Sequence, residues 1–182
     1  MQKPTSFCIC SLFIVLGMAV ALRAQGEAQP LVSFQAKVFV GDGSDEAAKP
    51  LLQAEEMAKP GILIFITGTE DKSLELVKTV GLFIKDVTKE KSPNMKLVYL
   101  AKSEPEDAVA KTNLKKADLA IPAYIYAGDG PDGYDNPKKS AMTVVIWAKS
   151  EIKSKQDLTA EKIAEVETLK GILLKFLQVS QQ

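Results

Sequence analysis

The sequence predicts an α/β fold built on a mixed central sheet of about five strands, in the order β-α-β-α-β-α-β-β-α. Three observations carry this. The run Ile62-Leu63-Ile64-Phe65-Ile66 is apolar without interruption, the pattern of a central strand covered on both faces. Stretches with helical spacing follow strand-like runs in regular alternation, which predicts parallel pairing through right-handed crossovers. Two strand-like runs then stand near the C-terminus with only a loop between them, which predicts an antiparallel closing hairpin.

The elements follow in order. Residues 1–24 read as a signal peptide that is removed: Lys3 precedes an apolar and small-residue run from Phe7 to Leu22. That run is short for a bilayer span, which takes about 20 apolar residues. Cleavage after Ala21 or after Ala24 both suit the pattern. Residues 25–31 form a short polar tail, and 32–182 form one domain, long enough to bury its own core.

Within 32–40, Phe34, Ala36, Val38 and Val40 alternate as in a strand. Residues 44–58 place Ala47, Leu51, Ala54 and Ala58 at helical spacing, and Lys59-Pro60-Gly61 ends that helix. After the strand 62–66, Thr67-Gly68-Thr69 leads into a helix over 70–89 with Leu74, Val77, Val80, Ile84 and Val87 inward. A strand over 95–101 follows. Ser103-Glu104-Pro105-Glu106 then resembles a capping box opening a helix to 115. Residues 121–127 and 143–148 are the two strands of the expected hairpin. A C-terminal helix from Thr159 would show Ile163, Val166, Leu169, Leu173 and Phe176 on one face, with Leu158 and Ile163 as its staple.

Composition narrows function. Cys8 and Cys10, the only cysteines, sit inside the leader. Arg23 is the only arginine, and histidine is absent. The processed chain therefore lacks disulfides, thiolate or imidazole metal ligands, and Cys–His or Ser–His nucleophiles. Its charge is lysine balanced by carboxylates, which speaks against nucleic-acid binding. No second apolar span follows the leader, so no membrane attachment is expected after processing, and no cofactor is expected.

The element order is similar to that of the thioredoxin-like fold superfamily, over essentially the whole processed chain. That resemblance implies a three-layer α/β/α sandwich. Ala120-Ile121-Pro122-Ala123-Tyr124 resembles the stretch where thioredoxins place a cis-proline, so the likeness implies that Pro122 is cis and lies beside the head of the second helix. The departure is at the junction after the second strand. Thioredoxins carry Cys-x-x-Cys there, and this chain reads Ile66-Thr67-Gly68-Thr69-Glu70-Asp71-Lys72-Ser73. The resemblance is thus to a redox-inactive member of the superfamily, expected not to be an enzyme.

The candidate binding residues are Thr67, Thr69, Glu70, Asp71, Ser73, Ile121 and Pro122, as the pole that would face a protein or peptide partner outside the cytoplasm, secreted or periplasmic. A second reading makes the Thr67–Ser73 junction a carboxylate and hydroxyl hydrolase or transferase, with a concave pocket near Pro122. A third takes the loop Gly128-Asp129-Gly130-Pro131-Asp132-Gly133-Tyr134-Asp135 as a calcium module, since clustered carboxylates supply oxygen ligands. Asp129, Asp132 and Asp135 are its candidate ligands, although their spacing is not that of an EF-hand. Turn chemistry of Gly and Asp explains the same residues. This loop is expected at the pole opposite the junction, away from Gly41-Asp42-Gly43.

Overall fold

A chain that buries both faces of one strand needs two covering layers, and here the two differ in kind. The structure, a computed structural model, describes residues 29–39, 45–89, 94–101, 104–119 and 121–181. The leader with its cysteines, residues 25–28 and the loop 41–44 lie outside the described residues.

The strands are β1 (Gln29–Pro30), β2 (Gln35–Phe39), β3 (Asp45–Pro50), β4 (Gly61–Ile66), β5 (Met95–Ala101), β6 (Ala123–Ala127), β7 (Met142–Ala148) and β8 (Glu151–Leu158). The helices are α1 (Ala54–Ala58), α2 (Asp71–Thr88), α3 (Glu104–Ala117), α4 (Ala160–Ile163) and α5 (Val166–Ser180). One mixed sheet runs β1-β8-β7-β4-β5-β6-β2-β3. The β4–β5 and β5–β6 pairs are parallel, and β7 runs antiparallel to both β4 and β8. The expected α/β class with its mixed sheet holds, with β4 in the middle.

Alternation along β4 explains the two layers. Ile62, Ile64 and Ile66 face a core shared with Leu74, Val77, Val80 and Ile84 of α2, Ala110 and Leu114 of α3, Ile163 of α4, and Ile172 and Phe176 of α5. Leu63 and Phe65 face the other side, against Leu31, Leu51, Leu52, Tyr134 and Trp147. The crossovers β4–α2–β5 and β5–α3–β6 advance in the same direction along the sheet, so right-handedness puts α2 and α3 on one face. The opposite face is therefore covered mostly by the segment 31–34, the short α1 and the loop 128–136. The sandwich has its second layer built from loop more than from helix.

Several expectations are corrected. The sheet has eight strands, not about five. Residues 44–58 are not one helix: Asp45–Pro50 pairs with β2 as an edge strand, and only Ala54–Ala58 is helical. Strands 123–127 and 142–148 are not a hairpin, because β5 and β4 lie between them. The antiparallel hairpin is β7–β8, whose second strand has the polar sequence EIKSKQDL. The C-terminal helix breaks at Ala164–Glu165, which rotates Val166 out to 64% exposure. Val87 at the end of α2 is also exposed.

Pro122 is not cis: no cis peptide bond occurs among the described residues. Its carbonyl accepts the Leu97 N–H at 3.1 Å, so it opens a parallel strand and its missing donor is lost on no partner.

The β7–β8 turn sets up a stability prediction. Lys149 and Ser150 both have positive φ, 54° and 60°. Two left-handed residues make a type I′ turn, which favours glycine at the second place. A non-glycine residue in that region costs about 1–2 kcal/mol. Ser150→Gly keeps the backbone bonds to Leu31 and Met57 and is expected to raise the melting temperature by about 2–4 °C. Calorimetric scans of the two proteins check this, and a lowered temperature would refute it.

Candidate functional site

Sheet direction decides which loops meet. β4 and β5 run the same way, so the junction after Ile66 lies at the end of the sheet where β5 and β6 finish. β7 begins at that same end, with Met142 opposite Ile66. Pro122, just before β6, lies at the other end. Of the predicted binding residues, Thr67, Thr69, Glu70, Asp71 and Ser73 are together, and Ile121 and Pro122 are not with them. Ile121 is buried in the helix-side core, and Pro122 is exposed. The hydrolase or transferase reading loses its premise here, because Pro122 lies at the opposite end of the sheet from the junction.

What stands beside the junction is Ser140–Ala141. The Thr67 N–H donates to the Ala141 carbonyl at 3.2 Å, and its Oγ1 donates to the Ser140 carbonyl at 3.2 Å. Glu70 adopts extended backbone before α2, and its carbonyl accepts the N–H groups of Ser73 and Leu74 at 3.0 and 3.2 Å. Ser73 and Thr69 are buried, whereas Glu70 and Asp71 are exposed. Asp71 sits in the first turn, where a carboxylate complements the helix dipole.

Asn113 of α3 completes the junction, and sequence reasoning missed it. Its Nδ2 donates to the Thr69 carbonyl at 3.3 Å and to the Thr69 Oγ1 at 3.2 Å. The available signal was an amide next to Leu114 on the inward side of an amphipathic helix. Between the first turns of α2 and the last turn of α3 opens a groove of about 450 Å³, lined by Asp71, Leu74, Glu75, Lys78, Asn113, Lys116 and Ala117. Its buried apolar floor is Leu74, and its rim is charged. A volume in this range is that of a small-ligand or peptide site.

The bonds from Asn113 are the tie from α3 to the head of α2. Asn113→Ala leaves the buried Thr69 hydroxyl and carbonyl without that donor and is expected to cost about 1–2 kcal/mol. The local consequence is faster amide exchange at residues 69–73 than in the parent. Hydrogen exchange followed by mass spectrometry checks this, and unchanged protection there would refute the tie.

The acidic loop is placed differently from expectation. It starts from the end of β6 at the junction's end of the sheet, not at the opposite pole, and runs back across the loop-covered face. Asp129 pairs with Lys138 at 2.7 Å, and Asp135 pairs with Lys155 at 3.3 Å. Asp132 is exposed. Two of the three carboxylates are drawn to separate lysines, and Asp132 joins neither pair. Among the described residues no group of three or more His, Cys, Asp or Glu converges. The calcium assignment to Asp129, Asp132 and Asp135 is corrected to turn chemistry: Gly128, Gly130 and Gly133 have φ of 134°, 121° and 86°. The Gly41–Gly43 loop lies outside the described residues.

The centre of that loop is its anchor. Tyr134 is fully buried, its hydroxyl donates to the Val32 carbonyl at 2.6 Å, and its ring packs edgewise on Phe65 and Phe34. Burial pushes its phenol well above the usual range, so it is neutral throughout physiological pH.

No protein-family model matches the sequence, and no curated protein matches it. Solved structures do match. A putative protein disulfide isomerase from Bacteroides thetaiotaomicron superposes with a TM-score of 0.57 at 12% identity, over 85% of this chain and 90% of that one. A thioredoxin-like protein in its oxidised form gives 0.53 at 13% identity, over 84% and 96%. The reduced 2-Cys peroxiredoxin of Plasmodium vivax gives 0.52 at 12% identity, over 84% and 94%.

The fold is thioredoxin-like. The same likenesses correct the expectation that the chain is not an enzyme: structures of this fold carry the names of a putative disulfide isomerase and a peroxiredoxin, so the fold gives no ground for that expectation. At the junction itself this chain places hydroxyls, carboxylates and an amide, and its two cysteines lie outside the described residues. None of the described helices is long and apolar enough to cross a membrane.

Proposed function

We propose that the chain is exported and that its domain recognises an extended segment of another protein at the head of α2. The recognising surface is Thr67, Thr69, Glu70, Asp71 and Ser73 together with the groove that opens between α2 and α3. The observation that carries the reading is this groove beside a helix head which α3 holds through Asn113. A preformed concavity with an apolar floor and convergent polar groups is the usual form of a binding site, because the ordering cost has already been met in folding. Export is supported by the charged start and apolar run of residues 1–24.

The reading is tested by placing a photo-crosslinking amino acid at Glu75, in the groove, or at Pro122, at the far end of the sheet, in the native host. Defined protein adducts are expected from Glu75 and not from Pro122, on a chain whose N-terminus is Leu22 or Gln25. Equal adducts from both positions, or none from Glu75, would overturn the binding reading. An unprocessed N-terminus would overturn export.

A further inference from the structure

The groove between α2 and α3 carries both signs of charge on its rim. Asp71 and Glu75 stand one helical turn apart on α2, Lys78 follows on the same helix, and Lys116 faces them from α3. Some charges on this surface are paired, Asp86 with Lys89, Glu167 with Lys170, Asp129 with Lys138 and Asp135 with Lys155, and others such as Lys85, Asp132 and Lys175 are not. Among the described residues, Asp71, Glu75, Lys78 and Lys116 form no ion pair, with one another or with anything else. Two carboxylates and two ammonium groups thus share the rim of one groove and remain unneutralised, over a buried leucine.

We propose that this groove takes a peptide segment carrying both signs of charge, one basic and one acidic side chain, laid extended along α2 over Leu74. This rests on the binding function proposed above and specifies its ligand. The basic side chain goes to the carboxylates near the helix head, and the acidic one goes to the lysines farther along. Distance sets the spacing. From the midpoint of Asp71 and Glu75 to Lys78 is about five residues of helix, or roughly 7–8 Å at ~1.5 Å per residue. An extended chain covers that in two to three residues at ~3.3 Å each. A segment of one sign alone would meet like charge at one end of the groove, and that repulsion gives the selection.

The test uses the exported protein, immobilised, against a displayed library of random seven-residue peptides. The selected pool is expected to be enriched several-fold in sequences with a basic and an acidic residue two or three positions apart. Glu75→Lys should remove the enrichment for the basic residue, Lys116→Glu that for the acidic one, and added salt should weaken both. All these positions are exposed, and circular dichroism of each variant confirms that it is folded. An enriched pool indifferent to charge, still lost when Leu74→Lys fills the groove, overturns this inference and leaves the binding function standing. No enrichment, or enrichment unaffected by changes in the groove, overturns both.

Discussion

Tyr134→Ala is expected to destabilise the domain by about 3–5 kcal/mol, the range for removing a fully buried aromatic side chain. The magnitude is argued from what the ring does. The loop that covers this face of the sheet has only a short 3-10 turn at Pro137–Lys139, and Tyr134 is the one aromatic side chain it buries, with the smaller Pro131 and Pro137 also buried. Its ring joins Phe34, on the segment leading from β1, to Phe65 at the centre of the sheet, with centroids at 5.7 and 5.1 Å. Its hydroxyl bonds the Val32 carbonyl, and the neighbouring Gly133 carbonyl accepts from the Gln29 side chain. Removal therefore frees both the loop and residues 29–34.

Tyr134→Phe keeps the ring and loses only the hydroxyl, leaving the Val32 carbonyl unpaired, for about 1–2 kcal/mol. Urea titration separates the two variants. Equal losses from Phe and Ala would show that the hydroxyl and not the ring anchors the loop, contrary to this account.

The same loop shows what the sequence could and could not disclose. Helix periodicity and the largely apolar runs at 62–66, 95–101 and 143–148 mark the central strands β4, β5 and β7, because strands buried on both faces read as apolar runs. The edges were illegible for the converse reason. β3 at one edge reads DEAAKP, and β8, covered on its outer side only by the two residues of β1, reads EIKSKQDL, since a strand at or near an edge buries little and is protected by lysine, proline and carboxylates. The polar sequence of β8 has a further consequence: without it, β6 stands in the place of the closing pair's first strand and brings Pro122 to the site. The strand that actually starts beside Thr67 is β7, from Ser140–Ala141, and no proline stands there. At the candidate site, residues 67–73 were legible as a strand-to-helix junction. Asn113 and Lys116 were not, because nothing in α3's own pattern says which helix it packs beside.

The second large effect is expected at the far end of the sheet, from Lys96 and Glu56. Lys96 interrupts an apolar strand, and its ammonium is almost wholly buried, 2.5 Å from a Glu56 carboxylate oxygen. That glutamate also accepts the Gln53 N–H at 2.9 Å, while its backbone carbonyl receives Asn94 Nδ2 at 2.8 Å. The Trp147 indole reaches the same carbonyl at 3.4 Å. α1 is thus pinned to the sheet through one residue.

Glu56→Ala would strand the Lys96 charge under α1. Breaking a fully buried pair costs about 3–5 kcal/mol, and the partial exposure of Glu56 lowers the expectation to about 2–3. Lys96→Met combined with Glu56→Gln removes both charges and should recover most of that loss. The pH dependence has a definite sign. Burial raises the Glu56 pKa, but the Gln53 N–H and the Lys96 ammonium outweigh it and hold the carboxyl below its ordinary 4.5. A carboxyl lowered in the folded state binds its proton more readily when unfolded, so stability rises with pH across that interval. The contribution is complete above about pH 5 and drains away as the pH falls below 4.5 toward the folded value. Urea midpoints measured between pH 6 and 3 should therefore fall more steeply for the parent than for the double variant. Parallel curves would mean that the pair does not hold α1, and the loss in Glu56→Ala would then have to come from the helix alone.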